Sequence, residues 1–167
     1  DEPLLYELFS AMFAERLEWP MTRREYAQGL AGLSDREIIT QALARSGRPV
    51  AVEDLLSERS DRYRDLVSGR SPVREETRAL VRRLVELGLR LAIVTGAQRA
   101  DVDLVLADVP EAWSFEVVVT AEDVTHGKPH PEGFLRAASA LEVEPGRALV
   151  LEDSVAGVRG AQAAGMA

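Results

Sequence analysis

The chain has 167 residues, contains no cysteine, and carries a formal net charge of −8. This composition excludes disulfide bonds, thiolate nucleophiles and cysteine-ligated metals, and it disfavours binding to the phosphate backbone of nucleic acids. No apolar run approaches the ~20 residues of a membrane span, so we expect a cytoplasmic protein without a membrane partner. With 46% hydrophobic residues, the chain can bury the core of one domain with a modest insertion.

Residues 1–72 have the pattern of an all-helical region with about four helices. Apolar residues recur at helical spacing near the start of the chain, and capping-box sequences begin at Thr22 and at Ser34. The stretch 68–72, Ser-Gly-Arg-Ser-Pro, is typical of a linker. We therefore predict one domain over residues 1–72 and a second over residues 73–167.

From residue 73 onward, helical and strand-like segments alternate, which is typical of a parallel sheet covered by helices. The predicted strands and helices, in chain order, are helix 73–87, strand 89–94, helix 97–107, strand 115–119, helix 131–141, strand 148–151 and helix 154–164. The predicted fold class is therefore α/β. In such sheets ligands bind beyond the carboxyl ends of the strands, so the residues that follow each strand are the candidate site.

A hydroxyl and a glycine, Thr95-Gly96, follow the first predicted strand. The hydroxyl and the free N–H groups of a helix start can donate hydrogen bonds to an oxyanion, although an ordinary threonine N-cap is the alternative. After the second strand, Lys128 lies between Gly127 and Pro129, which constrain the backbone that aims its ammonium group. The alternative for Lys128 is a solvated side chain in a surface loop.

Two adjacent carboxylates, Glu152 and Asp153, follow the third predicted strand and precede Ser154. Such a pair is costly to desolvate, and a hard divalent cation such as Mg²⁺ relieves that cost. The alternative is that Asp153 or Ser154 only caps the next helix. Together, the three strand ends supply a hydroxyl, an ammonium and paired carboxylates, which predicts a site for a cation and a phosphate.

The only two histidines, His126 and His130, lie on either side of Lys128. A metal site that uses both would need helical geometry to make them converge, and Pro129 and Pro131 disfavour a helix there. We therefore interpret both histidines as loop residues without a metal.

The order of these motifs resembles the haloacid dehalogenase-like (HAD) hydrolase superfamily, in the branch of β-phosphoglucomutase, phosphoglycolate phosphatase and sugar-phosphate phosphatases. The segments that resemble its second, third and fourth motifs are, in that order, 91–96, 127–131 and 150–154 with its continuation to residue 166. The resemblance covers nearly the whole chain. It implies a Rossmann-like parallel-sheet core, over residues 73–167, with an inserted α-helical cap domain, over residues 1–72.

The resemblance also implies roles for the residues that bind phosphate. Thr95 and the Gly96 N–H would hydrogen-bond the transferred phosphoryl group. Lys128 would neutralise the charge of the phosphate and restrain the nucleophile, so Thr95 and Lys128 are the expected catalytic residues of this chain. The segment 32–34 of the cap resembles the part that approaches the active site.

The metal site follows from the same resemblance. Asp153 would ligate Mg²⁺ directly, Glu152 would hold the metal through water, and Ser154 would lie just outside these ligands. The implied mechanism is in-line attack by an aspartate on phosphorus, which forms an aspartyl-phosphate that water then hydrolyses.

The first motif of the family, D-x-D-x-T/V on the first strand, supplies the attacking aspartate and would normally lie just before a segment like the one at which this chain begins. The chain also stops at residues 165–167, where another core strand would usually start. We therefore expect a chain truncated at both ends, with exposed strand edges and no phosphatase turnover of its own. The alternative is a protein that has lost its nucleophile.

The function expected from these features is that of a Mg²⁺-dependent phosphatase acting on a small phosphorylated metabolite. One alternative is a sugar phosphomutase of the β-phosphoglucomutase type, which is weakened because residues 1–125 contain no histidine. A second alternative is a non-catalytic domain of the HAD fold. A dehalogenase is disfavoured because carbon–halogen cleavage needs no metal. For the full-length protein we expect a monomer.

Overall fold

The computed structural model describes residues 2–68 and 73–167 of the chain. The first part consists of four helices: α1 Glu2–Leu17, α2 Arg23–Gly29, α3 Asp35–Ser46 and α4 Val52–Val67. The second part alternates helices and strands: α5 Glu75–Glu86, β1 Leu91–Val94, α6 Arg99–Leu106, β2 Phe115–Val119, α7 Glu132–Ala140 and α8 Val155–Ala163. No helix within these described ranges is long and apolar enough to cross a membrane. The linker predicted over 68–72 lies, apart from Ser68, outside the described residues.

The four N-terminal helices enclose a single apolar cluster. Helix α1 places Phe9, Met12 and Phe13 in it, at the spacing that puts side chains on one helical face. Helices α3 and α4 add Ile39 and Leu55. All five side chains are fully buried, and burying a side chain of this size contributes roughly 1.5–3 kcal/mol. The predicted four-helix region is therefore confirmed.

Both predicted capping boxes form. The Glu25 backbone N–H donates to the Thr22 hydroxyl over 3.2 Å, and the Thr22 N–H donates to the Glu25 carboxylate over 2.8 Å. The same reciprocal pair joins Ser34 and Glu37, with distances of 3.3 and 2.9 Å. These bonds satisfy N–H groups that a helix start would otherwise leave unpaired, and they set the first residues of α2 and α3.

Strands β1 and β2 form a parallel pair, with Val94 opposite Val119 and an irregularity of the register after Leu91. Helix α6 lies in the connection between them, because parallel strands need a long crossover. Helix α7 packs against both strands. The predicted α/β class, with helices on a parallel sheet, is therefore confirmed.

The third strand, predicted over residues 148–151, is wrong in this structure. The Val150 N–H donates to the Ala167 carbonyl over 2.7 Å, and the Ala167 N–H donates to the Ala148 carbonyl over 3.2 Å. The sheet itself contains only β1 and β2 among the described residues. Leu149 and Leu151 remain 73% and 68% exposed. The apolar pattern favours a strand, but a strand forms only against a neighbouring strand, and within the described residues this segment bonds to Pro145 and Ala167 instead of to a strand of the sheet.

A buried arginine joins the helical region to the second part of the chain. Arg59 on α4 forms ion pairs with Asp35 on α3, over 3.1 Å, and with Asp101 on α6. Its guanidinium carbon lies 4.6 Å from the centre of the Tyr63 ring. Burial raises the pKa of Asp35 to about 6, although the positive charge of Arg59 opposes that rise. These charges are withdrawn from water, so each depends on its partners.

Candidate active site

Thr95 and Gly96 continue β1 beyond its carboxyl end. The Thr95 N–H donates to the Val119 carbonyl over 2.9 Å, and the Thr95 hydroxyl accepts a hydrogen bond from the Ala97 N–H over 3.1 Å. The N-cap of α6 is Gln98. The interpretation of Thr95 as an ordinary N-cap is therefore wrong, and its hydroxyl lies in the turn that precedes the helix.

Lys128 is nearly buried, with its side chain 12% exposed. Its ammonium nitrogen lies 2.6 Å from a carboxylate oxygen of Glu152 and 5.4 Å from the centre of the Phe134 ring. The interpretation of Lys128 as a solvated surface lysine is therefore wrong. Lys128 is also the only lysine among the 167 residues. All the other side chains that carry a permanent positive charge are arginines.

Glu152 is held from two sides. One carboxylate oxygen accepts from Lys128, and the other accepts from the Ser154 N–H and hydroxyl over 3.1 and 2.7 Å. Burial pushes the pKa of Glu152 upward, but the hydrogen bonds from Lys128 and Ser154 outweigh it and lower the pKa below its ordinary value. Glu152 is therefore ionised at neutral pH. The Ser154 hydroxyl also accepts a hydrogen bond from the Gly157 N–H over 3.0 Å. Ser154 therefore caps α8, which was the alternative predicted for it from the sequence.

Asp153 is exposed, unlike its neighbours Glu152 and Ser154. Within residues 2–68 and 73–167, no hydrogen bond or ion pair occupies its carboxylate. Glu152 already uses both of its oxygens, so Asp153 is the carboxylate that remains available for direct coordination. Oxygen donors of this kind fit Mg²⁺. The roles of both residues toward a metal stay predictions.

The helical region reaches the strand ends through residues 32–34. Gly32 has a φ of +83°, and a Cβ atom there would lie 2.2 Å from the Ser154 hydroxyl oxygen. A Cβ atom on Gly96 would lie 3.1 Å from the Leu33 carbonyl oxygen. Only glycine fits either position without displacing its neighbour. The segment 32–34 therefore lies directly against two of the predicted site motifs.

These elements surround a cavity of about 460 Å³, within the size range of small-molecule sites. Thr95, Gly96 and Lys128 line it, so the structure brings three of the predicted residues together. Glu152, Asp153 and Ser154 are not among the lining residues, and Glu152 is connected to the cavity wall through its contact with Lys128.

Four charged residues of the cavity wall, Asp35, Arg36, Glu37 and Glu122, were missed by the sequence analysis. Glu37 accepts from the Ser34 hydroxyl over 2.7 Å, and one of its oxygens lies 2.9 Å from the position of a Cβ atom on Gly127. For Glu37 the only signal in the sequence was the capping box, which indicates a helix start and not a site, whereas Glu122 follows the second predicted strand. The proximity of α3 to the Lys128 segment is a tertiary contact that no local pattern encodes.

The two histidines also line the cavity. They lie in a turn, as predicted, closed by a hydrogen bond from the His130 N–H to the Gly127 carbonyl over 2.9 Å. The expectation that they would not converge is wrong, because the centres of the two rings are 4.7 Å apart. A tight turn brings residues four apart together without a helix.

Comparisons with known proteins identify the family. A family model described as haloacid dehalogenase-like hydrolase matches residues 2–165 of the chain. The chain belongs to the haloacid dehalogenase-like hydrolases. Within this enzyme family, the protein CbbY of Rhodobacter capsulatus is 31% identical over 168 residues, which cover 96% of this chain and 74% of that protein.

Two further members of the HAD-like hydrolases resemble the chain. Validoxylamine A 7'-phosphate phosphatase of Streptomyces hygroscopicus subsp. limoneus is 39% identical over 87 residues, covering 52% of this chain and 41% of that protein. A crystal structure of mutant CbbY from Rhodobacter sphaeroides in complex with xylulose-(1,5)bisphosphate superimposes with a TM-score of 0.83 and 27% identity. That alignment covers 99% of this chain and 77% of the CbbY chain. The HAD-like fold expected from the motifs is therefore confirmed.

Proposed function

We propose that this chain carries the phosphate-binding and metal-binding parts of a Mg²⁺-dependent phosphatase, which hydrolyses a phosphate monoester of a small metabolite through an aspartyl-phosphate. The observation that carries the proposal is the position of Lys128. Its ammonium is nearly buried, is tied to Glu152 over 2.6 Å, and shares a cavity with Thr95 and Gly96. A fixed cation beside hydroxyl and N–H donors suits a transferring phosphoryl group.

Each residue contributes separately to this proposed chemistry. The Thr95 hydroxyl and the Gly96 N–H orient the phosphoryl oxygens, and Lys128 neutralises their charge. Glu152 holds Lys128 in place, and Asp153 with Glu152 would hold Mg²⁺. When bound, Mg²⁺ would neutralise further charge on the phosphoryl group. The attacking aspartate is proposed to lie on a strand upstream of residue 1; we call a chain that includes this strand the extended protein.

The proposed substrate is a small phosphorylated metabolite. The cavity volume of about 460 Å³ supports a molecule of this size. The names of validoxylamine A 7'-phosphate phosphatase and of the CbbY complex with xylulose-(1,5)bisphosphate support a phosphorylated ligand. The net charge of −8 supports a metabolite over a nucleic acid.

We also propose that residues 1–72 form a cap domain and residues 73–167 the core domain. Two separate apolar clusters support this division. One includes Phe9, Ile39 and Leu55 from the helical region, and the other includes Phe134 and Ala161 from the second part. A cap of this kind would exclude water from the cavity during phosphoryl transfer.

Phosphate release is the first test. The extended protein with Mg²⁺ should release inorganic phosphate from small monoesters such as p-nitrophenyl phosphate, whereas residues 1–167 alone should not, because they lack the proposed attacking aspartate. Phosphate is measured by a colorimetric assay. Conversion of β-glucose 1-phosphate to the 6-phosphate without phosphate release would favour the phosphomutase instead. Absence of both activities, across a panel of sugar and alcohol phosphates, would favour a non-catalytic domain.

The metal role of Asp153 has its own test. Asp153→Asn in the extended protein should lower turnover sharply and raise the Mg²⁺ concentration needed for half-maximal rate, because an amide oxygen binds a hard cation more weakly than a carboxylate. Rates are measured over a Mg²⁺ titration. Asp103→Asn, which removes an exposed carboxylate from α6, is the matched control and should change neither value. An unchanged Mg²⁺ dependence of the Asp153 variant would show that Asp153 is not a metal ligand.

A further inference from the structure

A second group of potential metal ligands lies at the rim of the same cavity, on the turn that carries Lys128. It consists of the side chains of His126, His130 and Glu132. One atom from each, a ring nitrogen or a carboxylate oxygen, lies within 4.8 Å of the other two. Among residues 2–68 and 73–167, no other group of three histidine or acidic side chains converges in this way.

The turn holds these three side chains in place. The carboxylate of Glu132 accepts hydrogen bonds from the Thr125 N–H over 2.8 Å and from the His126 N–H over 3.0 Å. One of its oxygens lies 3.1 Å from Nδ1 of His126 and 4.0 Å from Nδ1 of His130. The carboxylate therefore has a fixed position between the two imidazoles, and Nδ1 of His130 accepts a hydrogen bond from the Glu132 N–H over 3.3 Å.

The chemistry of this group differs from that of the predicted magnesium site. Two imidazoles and one carboxylate suit borderline cations such as Zn²⁺, whereas Mg²⁺ prefers oxygen ligands only. In a tetrahedral zinc site with bonds of about 2.0–2.1 Å, the ligand atoms lie about 3.3 Å apart. The Nδ1 atom of His126 is already that close to the Glu132 oxygen, at 3.1 Å, whereas Nδ1 of His130, at 4.0 Å, must move inward by roughly 1 Å. The side chains of His126 and His130 are 63% and 51% exposed, so this movement meets little resistance.

We propose that His126, His130 and Glu132 form a binding site for Zn²⁺ or a similar borderline divalent cation at the mouth of the cavity. Three protein ligands leave at least one coordination position for water or for an anionic group of a molecule in the cavity. The ion would also tie together both ends of the segment 127–129 and so fix the backbone of Lys128. This proposal does not depend on the proposed phosphatase activity, because none of its ligands is assigned to phosphate or Mg²⁺.

The test is titration of the extended protein, free of any polyhistidine tag, with Zn²⁺ in the presence of excess Mg²⁺. Calorimetry should show one bound Zn²⁺ per chain that millimolar Mg²⁺ does not displace. His126 and His130 are the only histidines of residues 1–167, and their imidazole NMR signals, assigned by comparison with His126→Ala and His130→Ala, should both shift on titration. Co²⁺ should bind with the same stoichiometry and give a visible absorption band as an independent signal.

Variants identify the ligands. His126→Ala, His130→Ala and Glu132→Gln should each weaken Zn²⁺ binding at least about tenfold, the size expected when a ligand or its support is removed. Glu144→Gln, which neutralises an exposed carboxylate elsewhere, is the matched control and should leave the affinity unchanged. Circular dichroism of each variant confirms that it folds. Zn²⁺ binding that survives the loss of both histidines, or that Mg²⁺ displaces, would overturn the proposal.

Discussion

Lys128→Ala in the extended protein should lower the turnover of phosphate monoesters by about 10²–10³-fold, or roughly 3–4 kcal/mol of transition-state stabilisation. The ammonium is the only fully charged cation of the strand-end motifs, and it is withdrawn from water, where it stabilises developing charge more strongly than at the surface. Steady-state rates over a range of substrate concentrations measure the loss. We expect most of it in kcat, because the charge on the transferring group is largest in the transition state.

Two controls separate a catalytic role of Lys128 from a structural one. Arg136→Ala removes an exposed cation from α7 and should leave the rate unchanged, which excludes a general effect of net charge. Lys128→Arg keeps the positive charge but changes its shape, and should recover only part of the activity. If Lys128→Ala binds Mg²⁺ and turns over like the unmodified protein, the ammonium does not act on the phosphoryl group.

Because Lys128 is the only lysine, it offers a chemical version of the same experiment. In residues 1–167 used alone, an amine-selective reagent can modify only this side chain and the N-terminal amine. Inorganic phosphate bound in the cavity should slow the modification of Lys128 and not that of the terminus. Mass spectrometry of the digested protein measures both rates.

Local patterns predicted the elements of the fold well. The capping boxes at Thr22 and Ser34 form as the sequence spacing indicated, because a capping box is made by residues three apart. The segment 148–151 shows the limit of this reasoning. Its apolar residues favour a strand, but strand formation depends on a neighbour that the sequence of the segment does not specify.

The candidate site was only partly predictable, because some of its residues come together through tertiary contacts that no local sequence pattern specifies. Thr95, Gly96 and Lys128 follow strands or constrained turns, and the rule that parallel strands present their carboxyl ends at one edge brings them together. Arg36 and Glu37 enter the same cavity from a helix about 60 residues earlier in the chain. From the sequence, both would be predicted to lie on the exposed surface of a helix. Only the packing of α3 against the strand ends shows that they line the cavity.

Arg59 is another charged helical residue whose environment depends on tertiary contacts and not on the local sequence. It lies in a helix rich in charged residues, where the sequence indicates exposure, yet its side chain is only 2% exposed. Two acidic partners from different elements, Asp35 and Asp101, accompany it into the interior. Removing one of the three charged groups should cost much free energy of folding, because the desolvation of each is compensated only while the other two are present.

Arg59→Met should therefore destabilise the protein by about 3–5 kcal/mol at neutral pH, the cost of leaving buried carboxylates without their cation. That loss is a large share of the 5–15 kcal/mol that typically separates folded from unfolded proteins. Urea unfolding of the extended protein measures it. Arg62→Met on the same helix is the matched control. Arg62 pairs with Glu15 and Glu58 nearer the surface, so its loss should cost no more than about 1 kcal/mol.

The pH dependence distinguishes lost charge pairing from lost packing. Burial, opposed by Arg59, already raises the pKa of Asp35 to about 6, above its ordinary value of 3.8. The folded state therefore holds this proton more tightly than the unfolded state, and ionisation of Asp35 reduces stability as the pH rises from about 4 to about 6. Without Arg59 the pKa of Asp35 should rise further. The difference between Arg59→Met and the unmodified protein should thus be largest near pH 7.5 and shrink toward pH 5, where Asp35 can be protonated. A loss that is equal at both pH values would indicate a packing defect at Arg59 instead of unpaired buried charge.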